Sequence, residues 1–261
     1  MRHLVCIPAY NCAKQIGRVL AQLGNLPVDA VHRVLVIDNR SSDGTLEAAC
    51  TAAFNVATEV LVARNIENYG LGGSQKVGFQ HGLDHDFERV TILHGDDQGS
   101  ITDLLPILDQ PQHASKDALL GARFMDGSRL QGYSAFRTLG NRAYNLLFST
   151  VARSRLYDLG SGLNSYRTRI FRNGFHMSFP DDLTFNYCMV LAHGRLKHDT
   201  MFFPIEWREE DQVSNVKLTR QALRVLQLLG AYARDADRFL AADHRTLTRT
   251  AYPTEIVYRN Q

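Results

Sequence analysis

Four short apolar runs recur along the first hundred residues: HLVCI (3–7), VHRVLVI (31–37), ATEVLVA (57–63) and RVTILH (89–94). Each is rich in β-branched and aliphatic side chains and ends in turn-forming polar residues, which predicts buried strands. Between the runs the apolar period changes. Ile16, Val19, Leu20 and Leu23 fall at helical spacing within 12–24, Ser42 is expected to cap a helix in DGTLEAACTAAF, and a third helix fits 73–84. Strand and helix in alternation predict an α/β fold, a mostly parallel sheet flanked by helices, with ligands bound beyond the carboxyl ends of its strands.

Those ends carry PAYN, DNRSSDGT, NIENYGLGGS and HGDDQGS. Any one of them alone reads as an ordinary turn, because Asn, Asp, Gly and Ser suit turns anywhere. Four such loops at one rim point to a site. The fourth is the sharpest: VTILHGDDQGS (90–100) sets Asp96 and Asp97 side by side at the tip of a buried strand. Carboxylates are costly to bury without a partner, so a metal, a proton or a cation is expected there.

Composition narrows the field. A chain of 261 residues with 44% hydrophobic content can bury one large core or two small ones. The net charge of +2 comes with no Lys/Arg block, so no nucleic-acid partner is implied. Cys6, Cys12, Cys50 and Cys188 are scattered without a C-x-x-C pair, which fits reduced thiols in the cytoplasm. The apolar part of the start is too short for a signal peptide, and no later run approaches a membrane span. GLGGSQK (70–76) meets neither the dinucleotide fingerprint nor the P-loop pattern, and HGLDH (81–85) sits on a helix away from the rim. Leu218, Ala222, Val225, Leu226, Leu229 and Ala233 form an apolar stripe beside Arg220, Arg224 and Arg234. Docking of that stripe on the rest of the fold is the expected use, with a peripheral contact at the inner face of a membrane or self-association as other uses.

Taken in order, IPAYN, VIDNRSSDGT, ENYGLGGSQKVGF, HGDDQ, GARF, DLGSGLNSYR and FPIEWREEDQVSN resemble a family 2 glycosyltransferase of the GT-A fold. The similarity runs from about residue 4 to about residue 218 and is nearest to the dolichol- or polyprenyl-phosphate sugar transferases. The resemblance implies a catalytic GT-A-like domain over 1–215 and a C-terminal helical extension over 216–261. It implies that Pro8, Ala9 and Tyr10 pack along a donor nucleotide and that Asp38 reads its base, with Asn11, Asn68, Gly70, Gly72 and Gln98 as further donor contacts. Asn39 stands where many relatives have a second Asp, and Asp43 is expected to serve mainly the start of the second helix. Relatives usually show Asp-x-Asp where this chain has His94-Gly95-Asp96. Asp96 is then the surviving ligand of Mg2+ or Mn2+, with His94 in place of the first acid.

Arg123, Arg137, Arg208 and Lys217 resemble cationic positions that hold phosphates, and Ser214 with Asn215 belongs to the same loop as Arg208 and Lys217. Asp182, of the pair in FPDDLTFN, is the candidate base or acceptor-positioning residue. Catalysis is thus expected of Asp96, Asp182 and Arg208: inverting, metal-dependent transfer of a sugar from a UDP or GDP donor to a polyprenyl phosphate. A soluble transferase acting on a saccharide or small-molecule hydroxyl is one alternative. A non-catalytic regulator that binds nucleotide-sugar is the other.

Overall fold

The computed structural model describes residues 1–27, 29–209 and 218–260. The first half alternates as its periodicity predicts: β1 (His3–Ala9), α1 (Ala13–Gly24), β2 (Arg33–Asp38), α2 (Thr45–Ala53), β3 (Glu59–Asn65), α3 (Gly70–Asp84) and β4 (Arg89–Leu93). Short helices α4 (Leu105–Leu108) and α5 (Pro111–Ala114) lead to β5 (Ala118–Ala122), β6 (Arg129–Gln131) and the long α6 (Ala135–Ala152). Then come β7 (Leu163–Arg167), α7 (Phe185–Arg195), β8 (Thr200–Pro204) and β9 (Glu206–Arg208). The chain closes with α8 (Leu218–Arg234), α9 (Ala236–Ala241) and β10 (Thr254–Arg259).

Eight strands form one sheet in the order β10-β3-β2-β1-β4-β7-β5-β8, while β6 and β9 pair separately. β1, β2, β3 and β4 are mutually parallel, so Ala9, Asp38, Asn65 and Leu93 end at one rim. β7 enters antiparallel between β4 and β5, and β10 runs antiparallel along β3. One face of the sheet packs on α1 and α2 through Val5, Ile7, Ile16 and Leu20. The other packs on α3, α7 and α8 through Leu4, Val77, Phe79, Leu191 and Val225. Burial of these side chains is the main stabilising term, at roughly 25 cal/mol per Å² of apolar surface removed from water.

Three expectations change. Helix α2 is capped by Gly44 at φ +85° and not by Ser42. The carboxylate of Asp43 instead accepts the N–H of Thr45 (3.1 Å) and that of Ala13 (3.1 Å), tying the starts of two helices together. Helix α3 begins at Gly70, three residues earlier than its apolar pattern suggests, because Gly70 at φ +71° turns the chain into it. The C-terminal segment is helical through α8 and α9 but ends as a strand of the main sheet. There Asn260 accepts the N–H of Val60 (2.8 Å) and donates to the carbonyls of Val56 (2.8 Å) and Thr58 (3.1 Å).

Candidate functional site

A cavity of about 380 Å³ opens at the rim where β1 and β4 end. Its wall holds Pro8, Ala9 and Tyr10 from the β1 loop, Asn68, Gly70 and Ser74 from the start of α3, His94, Gly95 and Asp96 from the β4 loop, and Asp182 with Leu183 from the turn before α7. Eight positions predicted from sequence, Pro8, Ala9, Tyr10, Asn68, Gly70, His94, Asp96 and Asp182, therefore share one cavity.

The β4 loop is held tightly. The N–H of His94 donates to the carbonyl of Gly162 (2.9 Å) and that of Gly95 to the carbonyl of Pro8 (3.1 Å). A side chain at Gly95 would crowd Ala9 and Cys12 at 3.2 Å, and one at Gly162 would strike the His94 ring at 2.9 Å. Burial lowers the pKa of His94 and raises that of Asp96, whose Oδ1 accepts the N–H of Gln98 (3.3 Å). His94 Nε2 is buried with no hydrogen-bond partner among the described residues. Asp97 turns the other way: at φ +58° its carboxylate meets Arg18 (2.6 Å) and Gln22 (2.8 Å) on α1. Of the two adjacent acids only Asp96 faces the cavity.

Part of the wall is an amide ladder that sequence reading missed, with Asn39 and Asn68 at the cavity and Asn65 behind them. Asn39 donates Nδ2–H to Asn68 Oδ1 (2.9 Å) and accepts from Asn65 Nδ2 (2.8 Å) and from the N–H of Tyr69 (2.8 Å). Asn68 Oδ1 also accepts the N–H of Gly70 (2.9 Å), which fixes the turn into α3. The amide at 39 thus uses a donor that a carboxylate there would lack. Asp38 is buried beside it and receives the N–H of Ser41 (3.3 Å). Asn11 clasps the same loops, its Oδ1 accepting the N–H of Ser42 (2.9 Å).

The turn that carries Asp182 rests on α3. A Cβ at Gly72 would lie 2.5 Å from the Pro180 carbonyl oxygen and 2.6 Å from Phe185 Cβ, so Gly72 serves packing of this turn and does not line the cavity. Lys76, fully buried, reaches under it to Asp181 (2.7 Å) and the carbonyl of Phe179 (2.6 Å). Tyr252 and Arg249, from the segment between α9 and β10, donate to the same Asp181 at 2.7 and 3.1 Å. Asp182 accepts the N–H of Thr184 (2.8 Å) and pairs with Arg224 of α8 (3.1 Å).

The cationic positions expected at phosphates are placed otherwise. Arg123 is held on Asp158 by two bonds of 2.8 Å through Nε and one Nη, lies over the Trp207 ring and is not part of the cavity wall. Arg137 pairs with Glu209. Arg208 flanks the β4 loop, its N–H on the Gln98 carbonyl (2.9 Å) and its guanidinium 3.6 Å from Asp97, outside the cavity wall. Gln98 likewise contributes backbone to that loop and does not line the cavity. Ser214, Asn215 and Lys217 lie outside the described residues.

Comparison with known proteins adds a family. The sequence model described as "Glycosyl transferase family 2" matches residues 4–176. An undecaprenyl-phosphate mannosyltransferase of Micrococcus luteus is 28% identical over 174 residues, 66% of this chain and 69% of that protein. A polyprenol monophosphomannose synthase of Mycolicibacterium smegmatis is 25% identical over 169 residues, 65% of this chain and 63% of that one. The match thus spans between 63% and 69% of the length of these curated relatives. Among solved structures, a mannosyltransferase from Pyrobaculum calidifontis, in complex with GDP-Man and Mn2+, superposes with a TM-score of 0.55 at 18% identity, covering 92% of this chain and 71% of that one.

Proposed function

Because the chain belongs to glycosyl transferase family 2, we propose that it moves a sugar from a nucleoside diphosphate donor to a polyprenyl phosphate, with inversion and with a divalent cation. The observation that carries this reading is the convergence of Tyr10, Asn68, His94, Asp96 and Asp182 on one cavity at the carboxyl rim of the sheet. The names of the two curated relatives support a polyprenyl-phosphate acceptor and make mannose the first sugar to test. In this reading residues 1–215 form the catalytic unit and the enzyme works from the cytoplasm at the membrane surface.

In the proposed arrangement Tyr10, 53% exposed at the lip, stacks on the donor base, and Asp38 accepts the base's imide N–H. Mg2+ or Mn2+ fits the donor set. Asp96 offers a carboxylate, and His94 offers an imidazole that its lowered pKa keeps neutral near pH 7. No group of three or more His, Cys, Asp or Glu gathers as a metal site among the described residues, so donor phosphate oxygens would complete the coordination. Such an ion supplies charge neutralisation for the departing nucleoside diphosphate.

A phosphate acceptor has a second pKa near ~6 and arrives already anionic, so Asp182 would orient it and need not deprotonate it. One observation favours a second reading, transfer to a saccharide hydroxyl: Asp182 stands in the cavity as a carboxylate able to act as base. The test is transfer of labelled sugar from GDP-mannose and from UDP-sugars to undecaprenyl phosphate or to soluble saccharides. Label extracted with the lipid supports the first reading, and more so if Asp182→Asn keeps most of it. Label on a saccharide that Asp182→Asn abolishes supports the second. Nucleotide binding with no transfer to either acceptor sinks both and leaves a nucleotide-sugar-binding regulator.

A further inference from the structure

Helix α6 breaks the usual rule for a helix lying on a globular body. Of its 18 residues only Asn145 and Phe148 are buried. Its outward side carries Phe136 (83% exposed), Leu139 (69%), Leu146 (70%) and Leu147 (41%). At 3.6 residues per turn these four fall within an arc of about 100°, so they form one apolar face where polar side chains would normally stand.

The charge around this face is one-sided. Residues 127–157 contain five arginines and neither Asp nor Glu, in a chain whose net charge is only +2. Arg129 and Arg137 pair with Glu206 and Glu209. Arg142, Arg153 and Arg155 have no ion-pair partner among the described residues, and they meet with Ser149 and Thr150 in an open depression of about 530 Å³ at the C-terminal end of the helix.

We infer that the outer face of α6 docks on a lipid bilayer bearing anionic phospholipid, with Phe136, Leu139, Leu146 and Leu147 entering the headgroup boundary and Arg142, Arg153 and Arg155 on lipid phosphates. An exposed apolar stripe edged by unpaired cations is the pattern that such a surface takes. No described helix is long and apolar enough to cross a membrane, and the contact inferred for α6 is a peripheral one. A second copy of the chain suits the face less well, since its own segment 127–157 offers no acid to the arginines. The docking face is joined to the donor cavity by a short path: the chain leaves the depression at Tyr157 and reaches Gly162, whose carbonyl holds His94. The inference concerns the surface and stands whether the acceptor is a lipid phosphate or a saccharide.

Flotation of the full chain with vesicles of phosphatidylcholine, alone or mixed with phosphatidylglycerol, tests it. The wild type is expected to float with the mixed vesicles only. Leu139→Glu/Leu146→Glu should remain unbound, and Arg153→Ala/Arg155→Ala should bind on the order of 30-fold more weakly. Calorimetric titration with GDP and UDP and a melting curve on each variant separate loss of the surface from loss of fold or donor site. If wild type binds neither nucleotide, the proposed function fails while flotation still decides the surface. A wild type that ignores both vesicles, or variants that float unchanged, overturns the inference. So does a wild-type dimer in light scattering that Leu139→Glu/Leu146→Glu turns into monomer, since that assigns the face to a second copy.

Discussion

Asp96 and Asp97 are neighbours with opposite duties. Asp96 faces the cavity, where burial holds its pKa above the usual carboxylate value, so the fold gains nothing from its charge, as the ligand role proposed above requires. Asp96→Ala is therefore expected to lower turnover by several kcal/mol of barrier, on the order of a thousandfold, while the melting temperature holds or rises. Asp97→Ala should do the reverse, losing Arg18 and Gln22 and some stability but keeping transfer. Paired assays and melts of both variants check this, and equal activity loss in the two would remove the distinction. At position 39 the amide is needed for its donor to Asn68. Asn39→Asp would set two acceptors against each other in a buried site, at a cost of about 1–3 kcal/mol in urea unfolding.

At the scale of elements, the turn bearing Asp182 depends on parts far apart in sequence: the glycines of α3, Lys76, and the strand-ward segment with Arg249 and Tyr252. Lys76 is fully buried on Asp181, and removing it takes one cation from a carboxylate that Arg249 and Tyr252 still hold. Lys76→Ala is expected to destabilise by about 2–3 kcal/mol and to weaken nucleotide binding, with Lys76→Met recovering part of both by refilling the space. Unfolding and titration of the two variants measure it, and Lys76→Ala as stable as wild type would refute the role. This dependence also marks where sequence reading stops. β1 to β4 and their rim loops were legible because each is one contiguous apolar run followed by its own polar turn. The partners of Arg123 and Lys76 were not, since Asp158 and Asp181 lie 35 and 105 residues further along. β7 was hidden by its polar LNSYR composition, and β10 by the strong helical stripe of α8 that precedes it.

For the whole molecule, the buried histidines set the response to acid. Burial lowers the pKa of His3 to about 4 and those of His176 and His193 to about 3, against an ordinary value near 6.5. Above pH ~6.5 these rings are neutral in both states and contribute no pH dependence. Below it the unfolded chain takes up protons that the folded chain refuses, so stability falls as pH drops, down to the folded values near 3 to 4. Each group can contribute up to about 1.4 kcal/mol per pH unit, and with half discounted for relaxation the three together lose on the order of 2 kcal/mol per unit. Asp96 and Asp103, whose pKa values are raised by burial, act in the opposite direction, but only near the carboxylate range. The window from about pH 6.5 to 5 therefore belongs to the histidines. Urea midpoints at pH 7.5, 6 and 5 should decline steadily, and His193→Gln should flatten the decline because it removes the buried ring that lies 2.9 Å from His198. A midpoint that stays level to pH 5 would mean that these rings find protons or water inside the fold, and that the core around α3 and α7 opens more readily than its packing implies.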